Sequence, residues 1–101
     1  MKNDPRVMRE TERYLFHKGN YVESARLGRQ VIQKLPRDRD ASVYLAYDLY
    51  NLGRYDDVLS LVSRYENVLP KEPNFPLLAG HVHKQNELLQ TAIDEIGRAH
   101  V

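Results

Sequence analysis

The histidines are the first side chains to consider for chemistry, because imidazole serves both as a metal ligand and as a general base. The chain has 101 residues and four histidines. His81 and His83 are two positions apart, which on a helix directs their side chains to nearly opposite sides, so they cannot share a metal ion. His17 and His100 have no local partner that could complete a ligand set. The sequence therefore predicts no metal site.

The other reactive side chains also lack the surroundings that catalysis requires. No serine or threonine lies in a nucleophile elbow, no glycine-rich loop follows a strand, and no strand pattern is present. The adjacent acids Asp56-Asp57 and Asp94-Glu95 stand near helix starts or on solvated faces, where the helix dipole and water explain them. We therefore expect no enzymatic activity and no cofactor.

The strongest pattern is a helix, a tight turn and a second helix in the middle of the chain. Apolar residues at steps of three and four mark one face of the first helix: Val43, Leu45, Ala46, Leu49 and Leu52. Gly53 interrupts the run. The helical period then resumes, with Val58, Leu61, Val62, Tyr65 and Val68, and we expect it to end at Pro70.

The glycine turn and the terminating proline of this helix pair each occur twice in the chain. Gly19-Asn20-Tyr21 corresponds to Gly53-Arg54-Tyr55, and Pro36 corresponds to Pro70, at a spacing of about 34 residues. One helix pair cannot bury its apolar stripe alone, so repetition at this period predicts a stack of pairs that cover one another.

In these residues the chain resembles the tetratricopeptide repeat family, through Leu45-Ala46, Leu49, Gly53-Arg54-Tyr55 and Pro70. The resemblance implies an all-α fold, a right-handed α-α superhelix (solenoid) of three antiparallel helix pairs. The units are expected at about 5–36, 39–70 and 74–101, in a single domain that belongs to a longer protein. The third unit is divergent because Gln85-Asn86-Glu87-Leu88 replaces the glycine-tyrosine turn. Its helices are predicted from about Pro76 and over about Glu87 to His100.

Local signals predict the ends and the buried side of the early helices. Asp4-Pro5 marks a helix start, and Asp38 or Asp40 is expected to cap the third helix. The core side of the first helix is predicted to hold Val7 or Met8, Thr11, Leu15 and Phe16. Gly28 lies inside the second helix, where a glycine costs about 1 kcal/mol relative to alanine, so a neighbouring helix is expected to approach it closely.

Composition restricts the class of partner. Lys and Arg number 15 against 14 Asp and Glu, a net charge of +1, which favours neither nucleic acid nor an anionic membrane as a ligand. There is no cysteine, and no apolar run approaches the roughly 18 residues of a membrane span. We expect a soluble, cytoplasmic protein.

The family resemblance also implies a binding surface, since the first helix of each pair lines the concave face of such a stack. The residues expected in this partner-binding groove are Arg9, Arg13, His17, Tyr44, Tyr47, Asn51, His81 and Lys84. Aromatic rings provide contact area and arginines hold carboxylates, so the expected partner is a protein or peptide with acidic residues. Tyr44 and Tyr47 have an alternative role in packing between helices, whereas for Tyr21, Tyr55 and Tyr65 packing is the preferred interpretation.

The last predicted helix suggests an alternative function. It ends without the polar face that normally closes a repeat stack, and it would expose Ile93 and Ile96 together with Ala99. The alternative to peptide binding is therefore self-association into a homodimer, or docking onto another part of a larger protein, through Ile93 and Ile96.

Overall fold

The computed structural model describes residues 4–99 of the chain and is all-α, as predicted. His100, which the sequence analysis considered as a ligand and as a helix end, lies outside the described residues. Five helices occur in the described part, and it contains no strand. They are α1 (Pro5–His17), α2 (Tyr21–Lys34), α3 (Arg39–Asn51), α4 (Tyr55–Tyr65) and α5 (Asn74–Ala99).

Aspartate residues are the N-caps of α1 and α3. Asp4 accepts a hydrogen bond from the backbone N–H of Arg6 at 2.9 Å, and Pro5 fills the first helical position, where no N–H is needed. Asp38 accepts from the backbone N–H of Ala41 at 2.9 Å. The start signal at Asp4 is confirmed, and Asp38 rather than Asp40 is the cap of α3.

Glycines with positive φ separate the helices of each of the first two pairs. Gly19 has φ 78° and Gly53 has φ 74°, the left-handed region that glycine adopts without steric cost. Both turns continue the hydrogen-bonding of the preceding helix, with the N–H of Gly53 donating to the carbonyl of Tyr50 at 3.0 Å. The predicted turn positions are confirmed.

Replacing Gly53 by valine is expected to lower the free energy of unfolding by about 1–3 kcal/mol, because a β-branched residue is strained at this φ. Urea unfolding followed by circular dichroism measures the effect. Gly80→Ala is the matched control, since a Cβ at Gly80 meets open space within a helix and alanine is the better helix former. An unchanged midpoint for Gly53→Val would contradict the role assigned to this glycine.

The helices pack as two layers. α3 contacts both α1 and α5, so these three helices form a row, whereas α2 and α4 lie on the other side, with no Cα atoms within 8 Å of each other in the described chain. α2 packs against α1 and α3, and α4 packs against α3 and α5. The most completely buried apolar side chains lie between the layers, and include Val31, Ala41, Ala46, Val58, Tyr65, Leu78 and Val82.

Two helix boundaries differ from the prediction. α4 ends at Tyr65 instead of continuing to Pro70, and residues 66–68 form turns in which the N–H of Leu69 donates to the carbonyl of Tyr65 at 2.8 Å. A residue that precedes proline disfavours the helical conformation, which explains why the regular helix does not extend to Pro70. α5 begins at Asn74, two residues before the predicted start at Pro76, so that Pro76 falls in its first turn.

The predicted third helix pair is wrong: α5 is one continuous helix of 26 residues. The interval 85–88 contains no glycine that could adopt positive φ and reverse the chain, so the helix continues through the expected turn. Phe75, Leu78 and Val82 anchor its first half, and residues 83–98 are exposed. The protein is accordingly elongated, with a longest extent of 61 Å. None of the described helices is long and apolar enough to cross a membrane.

The buried side of α1 also differs from the prediction. Met8 and Glu12 are buried, whereas Thr11 is exposed and Val7 is 52% exposed. Met8, Glu12 and Leu15 are spaced by four and three residues and therefore share one face. Glu12 therefore occupies the core position that was predicted for Thr11.

Candidate functional site

An aromatic cluster joins α1 to α3 on the side formed by the row of α1, α3 and α5. The ring of Phe16 lies 5.0 Å from that of Tyr44 and 6.4 Å from that of Tyr47, measured between centroids. His17 lies 5.9 Å from Tyr44 in an edge-to-face arrangement. Three residues predicted for the groove, His17, Tyr44 and Tyr47, are thus brought together by Phe16.

An open cavity of about 350 Å³ adjoins this cluster. Its walls come from α1 and α3, and consist of Phe16, Arg39, Asp40, Val43, Tyr44 and Tyr47. Both tyrosines are half-buried, so each ring has one packed side and one side that faces the cavity opening. Rigid rings at the edge of an open cavity are the arrangement by which proteins gain contact area at low entropic cost.

The two tyrosine hydroxyls differ. The Tyr47 hydroxyl donates a hydrogen bond to Oδ1 of Asn74 at 2.6 Å and so connects α3 to the start of α5, while burial raises the pKa of Tyr47. The Tyr44 hydroxyl makes no hydrogen bond to any described residue, and it remains available to a ligand. Tyr47 therefore combines packing with exposure to the cavity, whereas the Tyr44 hydroxyl has no hydrogen-bond partner in the described chain.

The basic residues predicted for the groove lie in different surroundings. Arg9 donates to Oδ2 of Asp38 at 2.5 Å, and this hydrogen bond raises the pKa of Arg9. Arg13 is exposed, 3.7 Å from Glu10, and adjoins a separate shallow cavity with His17. The charge of Arg9 is thus neutralised within the protein, whereas Arg13 is an exposed cation whose ion pair with Glu10 also lies on the surface.

The remaining predicted groove residues lie on α3 and α5. His81 is exposed, and its ring centroid lies 6.1 Å from that of Tyr50. The Asn51 amide donates to the carbonyl of Tyr47 at 2.9 Å, within its own helix. Lys84 is exposed on the first turn beyond the buried part of α5. These residues continue the same side of the protein from α3 to α5.

Glu72 fixes the start of α5 beside the cavity. Its carboxylate accepts from the backbone N–H of Asn74 at 3.0 Å and from the Asn74 amide at 2.9 Å, and it forms an ion pair with Arg39. Burial opposes ionisation of Glu72, but these hydrogen bonds and the ion pair lower its pKa. The network holds Arg39 at the cavity wall and orients Asn74 toward Tyr47.

Two carboxyl groups are buried in the core between α1, α2 and α3, a feature that the sequence analysis missed. Glu12 and Asp48 have no exposed surface. Ser24 Oγ lies 2.6 Å from Oδ2 of Asp48 and donates to the carbonyl of Glu12 at 3.1 Å. A hydroxyl has one proton, so Ser24 can donate fully to only one of these two acceptors at a time, the Asp48 carboxylate or the Glu12 carbonyl.

Burial makes both carboxyl groups poor acids. Desolvation raises the pKa of Asp48 to about 7, although the Ser24 hydrogen bond opposes the shift. Desolvation together with the charge of Asp48 raises the pKa of Glu12 to about 9, and neither Glu12 carboxyl oxygen has a hydrogen-bond partner in the described chain. These groups have no access to solvent or substrate, so they concern stability and not catalysis.

No group of three or more histidine, cysteine or acidic side chains in the described residues is arranged to hold a metal ion. On the free part of α5, Ile93 is 52% and Ile96 is 60% exposed.

Comparison of the chain with protein-family models, with curated proteins and with solved structures found no match.

Proposed function

We propose that the chain is a non-catalytic protein-interaction module, arranged as a tetratricopeptide-like superhelix, that binds a peptide segment along the row of α1, α3 and α5. The observation that carries the proposal is the open aromatic cavity of Phe16, Tyr44 and Tyr47, in which the Tyr44 hydroxyl has no partner in the described chain. The arrangement of two layers, with close backbone approach along one row and none between α2 and α4 in the described chain, supports the superhelical description.

The cavity favours a peptide that inserts an apolar or aromatic side chain. Phe16, Val43 and the tyrosine rings form an apolar surface, and the Tyr44 hydroxyl offers one hydrogen bond to a peptide carbonyl. Arg13 and Lys84 lie on either side of this centre along the row, exposed on α1 and α5. An acidic residue of the ligand is therefore expected to contact Arg13 or Lys84, while Arg9 stays paired with Asp38.

Tyr44→Ala is expected to weaken binding of a cavity-directed peptide by at least about tenfold, the usual effect of truncating an aromatic hot spot. Peptides selected from a random display library on the full chain provide the probe, and fluorescence anisotropy measures affinity. Val22→Ala is the control, because Val22 is exposed on α2, in the other layer. Equal affinities of Tyr44→Ala and the unaltered chain for every selected peptide would overturn the proposal.

Self-association is the second candidate function, favoured by the exposed half of α5. Leu89, Ile93 and Ile96 share one face of this helix and are each more than half exposed, which is unusual for a helix without a partner. A second copy, packed antiparallel, would cover these side chains. Sedimentation across a concentration series tests the idea: we expect a dimer that Ile96→Glu converts to monomer, and a monomer at all concentrations would exclude it.

A further inference from the structure

The layer opposite the aromatic cavity contains a second surface, a cleft between α2 and α4. The Cα atoms of these two helices do not approach within 8 Å of each other, and side chains of α3 lie between them at the base of the cleft. Two adjoining cavities, of about 330 and 350 Å³, follow this cleft and share Arg29 and Leu49. From Val22 to Gln33 the cleft follows α2 for about 17 Å, or three helical turns, at a rise of 1.5 Å per residue.

The rim of the cleft is strongly basic although the whole chain carries a net charge of only +1. Its lining includes four arginines and one acid, Asp57. Arg26 and Arg54 are paired with nearby acids, Glu23 of α2 and Asp57 of α4, at 2.8 and 2.7 Å. Exposed pairs of this kind contribute little and exchange partners readily.

Arg29 and Arg64 are different, because neither has an ion-pair partner among the described residues. Arg29 is half-buried between the two cavities, and Arg64 stacks over the ring of Tyr65 with its guanidinium carbon 5.6 Å from the ring centroid. Each guanidinium retains donors that can hold a carboxylate bidentately. Arg64 is exposed, whereas the half-buried Arg29 attracts a carboxylate more strongly than a fully exposed arginine would, because the effective dielectric constant around it is lower.

The floor of the cleft is apolar. Ile32 of α2 and Leu45 and Leu49 of α3 lie at its base and are 2–4% exposed, and Val22 and Leu52 are the more exposed apolar side chains of the lining. An apolar floor between two helices, with cations at both edges, matches an amphipathic helix that places its apolar face downward and its acidic residues at the sides.

We propose that the cleft between α2 and α4 docks an acidic amphipathic helix of a partner protein, with Arg29 and Arg64 binding its carboxylates. This surface is independent of the aromatic cavity, since the two lie in different layers and share no lining residue. One chain can therefore hold two segments, on opposite sides.

A synthetic helical peptide of about three turns, with leucines on one face and glutamates beside them, is the probe, and a peptide with glutamine in place of each glutamate is its control. Fluorescence anisotropy at low salt is expected to show at least tenfold tighter binding of the glutamate peptide. Arg29→Glu and Arg64→Glu should each weaken its binding at least tenfold, whereas Arg37→Glu, an equal charge change outside the cleft, should alter it less than twofold. The double reversal should restore binding to a peptide that carries lysines in place of glutamates.

Equal weakening by Arg37→Glu would overturn the proposal, since it would show a general charge effect, as would glutamate binding that survives the double reversal. A concentration-dependent dimer of the chain that is lost in the double reversal would also overturn it, because the occupant would then be a second copy. Tyr44→Ala should leave binding of the glutamate peptide unchanged, so failure of this proposal and failure of the proposed cavity function are distinguishable.

Discussion

Raising the pH from about 5.5 to about 8.5 is expected to destabilise the protein by about 2–5 kcal/mol, a large fraction of the stability of a domain of this size. The cause is the buried pair Glu12 and Asp48. A carboxyl group whose pKa is higher in the folded than in the unfolded chain binds more protons when folded, so stability falls as pH rises between the two values. For Asp48 this interval runs from 3.8 to about 7, and for Glu12 from 4.5 to about 9.

Charged neighbours shift the pKa of Glu12 in both directions. Asp48, Asp38 and Asp40 raise its pKa, and Arg9 lowers it, but desolvation is the largest cause. The effect should therefore persist at high salt, which screens distant charges but does not restore water to a buried group.

Thermal melts at a series of pH values measure this prediction, with the melting temperature expected to fall by about 10 °C or more. Glu12→Gln removes the titrating group, so this variant should be less sensitive to pH, and its melting temperature relative to the unaltered chain should improve as pH rises. Asp48→Asn provides a matched variant, because its amide does not titrate and its oxygen can still accept the hydrogen bond from Ser24. A melting temperature that stays constant or rises between these pH values would show that the carboxyl groups are not buried as described.

Gly28→Ala is expected to destabilise the protein by about 1–3 kcal/mol, despite the better helix propensity of alanine, which is worth up to about 1 kcal/mol. A Cβ at Gly28 would overlap Oε2 of Glu12, and it would lie 3.1 Å from the Glu12 Cδ and 3.3 Å from the Leu45 Cβ. The Glu12 side chain is fully buried, so its carboxyl group would have to move within the packed core to make room.

A double-mutant cycle tests this contact. In a Glu12→Ala background the obstruction is absent, and Gly28→Ala should then be neutral or stabilising, which gives a coupling free energy of about 1–3 kcal/mol. Chemical unfolding of the four proteins at one pH supplies the values. Purely additive effects would mean that Gly28 is required for some reason other than the Glu12 side chain.

The parts of the fold that depend on local sequence were predictable. The starts of α1 and α3, the glycine turns at Gly19 and Gly53, and the buried stripe of α3 from Val43 to Leu49 follow from capping, φ preference and periodicity. Leu52, which was predicted for the same stripe, is 36% exposed. The continuous α5 could be anticipated only in part. The lack of a turn glycine near residue 86 was visible, but the expectation of a regular repeat favoured a sixth helix.

The buried charge pattern could not be predicted, because it depends on contacts between helices. Glu12 has the sequence signature of an exposed residue, and only its neighbours Ser24, Gly28 and Asp48 explain its position. The same holds for Arg9, which is a free cation by sequence and an ion-paired one in the fold, because Asp38 both caps α3 and accepts its hydrogen bond.

The Glu12–Gly28 contact distinguishes the first helix pair from the second. At the spacing of about 34 residues, Glu12 corresponds to Ala46 and Gly28 corresponds to Val62. The first pair thus places its large residue on the first helix and its small residue on the second, and the next pair reverses that choice. Swapping single helices between the pairs would bring together two bulky residues or two small ones, so the pairs are not interchangeable modules. The side-chain sizes at these positions therefore match each helix to the partner helix of its own pair.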